Sequence, residues 1–168
     1  MIIDERRVEK KRLKISDTFM PDNEALLEGN SFFKKDVSYS INLVREMDKI
    51  KVSGSISTEL SVRCMKCLEY FDFVINSKFD TILYPLGLVD FSFSSLKDEE
   101  MEYIFYSNGK IDIERLILEQ VNLNIPYKTI CSRDCKGICP MCGTNLNYEQ
   151  CKCDKSIKGI NIFNNIKG

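Results

Sequence analysis

Residues 49–85 read "KIKVSGSISTELSVRCMKCLEYFDFVINSKFDTILYP". In the first part Ile50, Val52, Ile56, Leu60 and Val62 recur at the two-residue period of a half-buried strand. Gly54 interrupts the run, where a bulge or a close backbone approach is expected. After "CMKC" the chain turns aromatic and β-branched, and Pro85 stops it. Cys64 and Cys67 therefore fall at a tight reversal between two antiparallel strands.

Working outward, "VSYSINLVRE" (37–46) places Val37, Tyr39, Ile41 and Leu43 on one face, again at period two, and "REMDK" supplies a hairpin connection to the central stretch. On the C-terminal side, residues 86–102 mix apolar "GLVDFSF" with acidic "KDEEME" and read as a long, mobile acidic connection. "YIFYSNGKIDI" predicts a short strand and a turn at Asn108-Gly109. "DIERLILEQVNLNIP" predicts a helix over 112–124. Asp112 is its N-cap, Ile113, Leu116, Ile117 and Val121 form its apolar stripe, and Pro126 lies beyond its end. The N-terminal 14 residues show no clear period and read either as a short strand or as a frayed basic arm. "DTFMPDNEALLEG" (17–29) holds one short apolar turn of candidate helix.

The fold class expected is α+β: a curved antiparallel sheet, partly barrel-like, with one main helix and a C-terminal zinc knuckle. Residues 1–126 form a β-rich core domain, 127–155 a cysteine-rich zinc-binding module packed on it, and 156–168 a flexible tail. A hydrophobic share of 43% in 168 residues is enough for a real core. No run of about 18 apolar residues offers a membrane span, and the opening residues lack the apolar stretch of a signal peptide. A cytoplasmic location is expected, with no membrane partner and no small-molecule substrate.

Charge is uneven along the chain. Residues 1–14 carry six basic and three acidic groups, 128–168 seven and three, and 80–120 three and nine. The net charge of −1 denies the broad basic footprint of a dedicated nucleic-acid binder, while leaving local phosphate contact open. Candidate contacts for RNA or a partner are Lys128, Arg133, Lys136 and Lys152 around the cysteines. A basic arm of Arg6, Arg7, Lys10, Lys11, Arg12 and Lys14 adds others, with a solvated face as the plainer reading. The chain contains no histidine. That excludes Ser-His, Cys-His and His-ligated hydrolytic zinc chemistry. Asp112 and Glu114 are better explained by capping and the helix dipole than as a catalytic carboxylate pair. Glu119 reads as solvated or as a partner contact. Tyr70, Phe71, Phe73, Phe79 and Tyr84 read as core rather than as a base-stacking stripe, with one or two exposed.

Eight cysteines form four pairs: Cys64 with Cys67, Cys131 with Cys135, Cys139 with Cys142, and Cys151 with Cys153. Disulfides fit a reducing compartment badly. A redox C-x-x-C calls for a helix N-terminus, which neither motif opens, and would not explain four pairs. Tetrahedral zinc fits: two closed four-thiolate sites use all eight ligands and leave no open position, so the metal is structural. In the preferred pairing "CPMCGTNLNYEQCKC" closes on itself, leaving Cys64 and Cys67 for Cys131 and Cys135, a closure over about 65 residues. The rival pairing joins Cys131 and Cys135 to Cys139 and Cys142.

"SVRCMKCLEYFDF", "IDIERLILEQVNLNIP" and "CSRDCKGICPMCGTNLNYEQCKC" together span residues 60–153, and in that order they resemble the YceD family, named for large ribosomal RNA subunit accumulation. The resemblance implies a bacterial or plastid protein needed for normal levels of large-subunit (23S-type) ribosomal RNA. Its gene commonly neighbours one for a large-subunit ribosomal protein. The partner it implies is a ribosomal RNA precursor, a ribosomal protein or an RNA-processing factor, and no enzymatic activity is implied. Some members lack the second knuckle yet keep the C-x-x-C and a pair after the helix, which supports the preferred pairing. The Lys- and Asn-rich tail departs from the family pattern. Two rival classes stand beside this reading: a thiol-based redox switch or enzyme, and a zinc-ribbon module of the transcription machinery.

Overall fold

The computed structural model describes residues 1–8, 12–26, 31–86 and 102–153. The expected acidic connection (but for its end residues), Lys10, Lys11 and the 156–168 tail lie outside the described residues. The strands are β1 (Ile2–Asp4), β2 (Leu13–Phe19), β3 (Ser31–Phe33), β4 (Val37–Glu46), β5 (Lys49–Arg63), β6 (Tyr70–Pro85), β7 (Glu102–Tyr106) and β8 (Lys110–Asp112), followed by the helix α1 (Ile113–Leu123).

The main sheet runs in the order β2-β4-β5-β6-β7, with β3 extending the β4 side of β5. The long β5–β6 hairpin is its spine, in continuous register from Ile50 opposite Leu83 to Arg63 opposite Tyr70. Gly54 makes no bulge: it pairs with Ile41 on one side and Phe79 on the other. It is instead a close approach, because a Cβ there would lie 2.6 Å from Ile41 Cγ2 and 2.7 Å from the Ser40 carbonyl oxygen.

Two features of the expected sheet are corrected. The sheet is open rather than barrel-like, since its end strands β2 and β7 do not pair with each other. It is also mixed: β7 runs parallel to β6, Thr81 opposite Glu102 through Pro85 opposite Tyr106. A parallel neighbour needs a connection long enough to return to the starting end, and residues 86–101 supply that length.

Of the expected 17–29 helix turn, residues 17–19 belong to β2 and Asn23–Ala25 form a 3-10 turn, while 27–29 lie outside the described residues. The N-terminus does form a strand: β1 pairs with β8, and the Met1 amine lies 2.7 Å from Glu114 at the start of α1. The Asn108-Gly109 turn stands where expected, both residues at positive φ, as a two-residue hairpin loop requires. Asp112 caps α1 by accepting from the Arg115 N–H at 3.3 Å. Ile113, Leu116, Ile117 and Val121 are buried with Val37, Ile41, Leu43, Ile50, Val52, Ile56 and Leu60 in one core. Among the described residues no helix is long and apolar enough to cross a membrane.

Candidate metal centres

The reversal between β5 and β6 is a six-residue knuckle closed by its own backbone. The Cys64 N–H donates to the Glu69 carbonyl at 2.8 Å, and the Leu68 N–H to the Cys64 carbonyl at 2.9 Å. The Lys66 N–H then points at Cys64 Sγ, 3.4 Å away. The chain leaving α1 is laid against this knuckle. Met65 N–H donates to the Thr129 carbonyl at 2.9 Å, and the Thr129 hydroxyl donates to the Arg63 carbonyl at 2.8 Å. That placement delivers Cys131 and Cys135 to Cys64 and Cys67.

The eight thiols form two sets, Cys64, Cys67, Cys131, Cys135 and Cys139, Cys142, Cys151, Cys153, each with all sulfurs within 4.8 Å of one another. This is the first of the two pairings weighed from the sequence. In the first set, here called the inner centre, Cys64 and Cys135 sulfurs are 3.9 Å apart and Cys67 and Cys131 sulfurs 3.7 Å. A tetrahedral metal with bonds of about 2.3 Å needs sulfur–sulfur edges of about 3.8 Å, so the inner set fits one ion. In the outer centre Cys139 and Cys151 sulfurs approach to 3.3 Å. Its knuckle is closed by the Gly143 N–H on the Cys139 carbonyl (2.9 Å) and the Cys139 N–H on the Thr144 carbonyl (2.8 Å).

Burial separates the two. Cys64, Cys67 and Cys135 are buried and Cys131 half-buried; in the outer set only Cys139 is buried and Cys142 is exposed. The thiol acidities follow the local donors. Burial raises Cys64, but N–H groups of Cys67, Cys131 and Lys66 outweigh it and lower the thiol to about 6. Burial, and then the sulfurs of Cys135, Cys67 and Cys64, push Cys131 up to about 12. In the outer set the Thr144 hydroxyl and N–H lower Cys142 to about 6, while Cys142 and Cys151 push Cys153 up to about 12. Four sulfurs this close cannot all ionise without a cation among them, and the soft donor set suits a thiophilic one.

The centres are joined by a seam. Ile138 N–H donates to the Lys66 carbonyl (3.0 Å), Leu146 N–H to the Gly137 carbonyl (2.9 Å), and the Lys66 ammonium to the Cys135 carbonyl (3.2 Å). Asn147 lies between, its amide reaching Cys135 Sγ at 3.5 Å and its carbonyl oxygen accepting from the Lys136 N–H at 2.8 Å. Neither Asn147 nor Thr129 stands out in the sequence, since only the fold brings their partners near.

The knuckles differ at one position. The residue after the second cysteine has positive φ in both, +73° at Gly143 and 63° at Leu68. Glycine takes that conformation freely, whereas a leucine there costs about 1 kcal/mol.

Lys128, Arg133, Lys136 and Lys152 are all exposed, and none has a carboxylate partner among the described residues. Arg6, by contrast, grips Asp4 in a two-pronged contact at 3.0 and 2.9 Å, and Arg7 is exposed. Of the aromatic stripe, Phe79 is buried, Phe71, Phe73 and Tyr84 are half-buried, and Tyr70 is exposed.

The family model described as "Large ribosomal RNA subunit accumulation protein YceD" matches residues 52–164, from the middle of β5 through both centres. The chain belongs to the YceD family. A relative in Arabidopsis thaliana, "Large ribosomal RNA subunit accumulation protein YCED homolog 1, chloroplastic", is 27% identical over 155 residues, covering 78% of this chain and 48% of its own. A Zea mays protein of the same description is 24% identical over 186 residues, covering 89% and 64%. An uncharacterized Mycobacterium leprae protein is 26% identical over 102 residues, covering 61% and 45%. The chain thus spans about half the length of the first of these YceD relatives. No solved structure gives a significant match.

Proposed function

We propose that the chain is a non-catalytic accessory factor in large-subunit ribosomal RNA accumulation, acting in the cytoplasm during processing or ribosome assembly. Membership of the YceD family, whose model covers both cysteine centres, carries this reading. Each centre holds one zinc ion, Cys64, Cys67, Cys131 and Cys135 in the first and Cys139, Cys142, Cys151 and Cys153 in the second. Zinc supplies folding energy there rather than chemistry, because four thiolates close its coordination sphere. The full set of soft donors supports zinc in both, and the 3.7 and 3.9 Å sulfur spacings support it in the first. The exposed cations Lys128, Arg133, Lys136 and Lys152 serve contact with ribosomal RNA or a ribosomal protein.

Deleting the gene and measuring large-subunit against small-subunit ribosomal RNA tests the reading. A selective fall in large-subunit RNA, restored by the intact gene, is expected; an unchanged ratio refutes it. Elemental analysis is expected to give about two zinc ions per chain, with no thiol open to alkylation. Substoichiometric metal with reversible disulfides would instead favour a thiol redox switch.

A further inference from the structure

The middle of the outer face of the sheet is small and polar. Ser16 faces Ser40 at 2.8 Å, Thr18 faces Ser38 at 3.2 Å, and Ser57 donates to Asn76 at 2.6 Å. At the knuckle end the same face changes character. Phe32 on β3 and Tyr70 on β6 are 40% and 52% exposed, and their rings lie 5.4 Å apart, tilted by 50°. Both flank Ser61 and Arg63 of β5: Phe32 pairs with Ser61, and Tyr70 pairs with Arg63. Ser61 is buried beneath them. Two apolar rings thus stand in water, side by side, on a rigid sheet.

Arg63 brings a positive charge to this corner. The Arg63 Nε donates to the Leu68 carbonyl at 3.0 Å, which fixes the guanidinium beside Tyr70 and leaves its two terminal nitrogens without a partner among the described residues. Two carboxylates of this face are already paired, Asp72 with Lys34 at 2.7 Å and Glu59 with Lys34 and Lys35, while Glu69, next to Tyr70, is exposed. Leu68, which carries the carbonyl that orients Arg63, holds its positive φ with the side chain 42% exposed, where a glycine would relieve the backbone. An apolar side chain stands at a strained position two residues before the exposed tyrosine.

We propose that Phe32, Tyr70 and Arg63 form a stacking platform for single-stranded RNA, with Leu68 at its edge. Every base offers a π-face to an exposed ring, and a guanidinium beside the rings meets the phosphate or stacks in turn. The rings lie on a sheet end already pinned by the inner centre, so little order has to be gained on binding. This deepens the proposed role in ribosomal RNA accumulation and rests on it for the biological source of the strand.

The test uses the metal-loaded full chain and a fluorescent oligouridine strand, with the same strand in duplex as control, read by polarisation at low salt. Single-strand binding is expected to weaken by about tenfold or more in the Phe32→Leu/Tyr70→Leu double variant, and to survive in Tyr70→Phe. Leucine keeps the apolar bulk and loses the π-face, so an apolar protein occupant would tolerate the first change and RNA would not. Arg63→Gln is expected to flatten the salt dependence. Metal content and circular dichroism of each variant establish that it is folded. Absence of saturable binding, equal affinity for duplex, or unchanged affinity in the double variant would each overturn the platform. A normal ribosomal RNA ratio in cells lacking the gene would instead overturn the parent reading and leave the binding result standing.

Discussion

The two cysteine centres use the same ligand count and the same C-x-x-C turn, yet they do different structural work. The inner centre joins a hairpin tip to the chain leaving α1, with Cys64 and Cys135 separated by 71 positions, and most of its sulfurs are buried. The outer centre closes within residues 139–153 and leaves Cys142 exposed. A metal that closes a long loop constrains the whole unfolded chain, whereas one that closes a short loop orders mainly itself. Ligand count therefore says little about stability; sequence separation and burial decide it.

The sharpest break of that comparison is a ligand swap. Cys135→Ser is expected to cost about 4 kcal/mol or more, seen as a lower midpoint in thermal unfolding followed by circular dichroism. Cys142→Ser is expected to lose one metal ion while shifting core unfolding by less than about 1 kcal/mol. Hydrogen exchange should then quicken at 138–153 and leave β5 and β6 protected. Equal losses from the two variants would show that the centres are one cooperative unit. Metal removal by a chelator tests the same asymmetry kinetically, with the outer ion expected to leave first.

A smaller effect sharpens it at one backbone position. Gly143→Leu is expected to destabilise by about 1 kcal/mol, a conformational cost alone, since nothing lies within 4 Å of a Cβ there. Leu68→Gly is expected to stabilise by about 0.5 kcal/mol in chemical denaturation. A loss of stability on Leu68→Gly would mean that the leucine side chain packs into the fold rather than facing outward.

The smallest expected effect lies at the N-terminal strand, remote from both centres. The hydrogen bonds from the Arg6 guanidinium and N–H hold Asp4 down at about 2 against its ordinary 3.8. A depressed carboxylate stabilises above its unfolded value, so this contribution is complete above about pH 4 and is lost as pH falls toward 2. Arg6→Ala removes the guanidinium and keeps the backbone N–H donor, so NMR titration should find Asp4 raised part of the way toward its ordinary value, with the metal content of both centres unchanged.

What the sequence disclosed follows from the range of the interactions. β4 and β5 show in the alternation of Val37 to Leu43 and Ile50 to Val62, and β6 in its aromatic and β-branched run stopped by Pro85, because one face of each is buried along most of its length. α1 shows in its stripe and its Asp112 cap. β2 was missed because "LKISDTF" is an edge strand with three consecutive exposed residues and little alternation. β3 is only three residues long and gains its identity from pairing with β5. The parallel setting of β7 depends on how residues 86–101 return, which no local pattern encodes. At the candidate sites the eight ligands were plain from spacing. Spacing alone leaves open the grouping of Cys131 and Cys135 with the distant hairpin, which depends on Thr129 bonding to Arg63 and Met65. Tyr70 looked like one more core aromatic, because Phe32, which marks the exposed pair, sits in a strand too short to read.

The long span of the inner centre also sets a timetable during synthesis. Cys64 and Cys67 leave the ribosome 71 positions ahead of Cys135 as measured from Cys64. At synthesis rates of about 5–20 residues per second, the hairpin tip waits roughly 4–14 s with two of its four thiols. The outer centre, drawn from fifteen consecutive positions between Cys139 and Cys153, waits about 3 s at most. The nascent chain thus presents an incomplete set of thiols while the 71 positions from Cys64 to Cys135 are made.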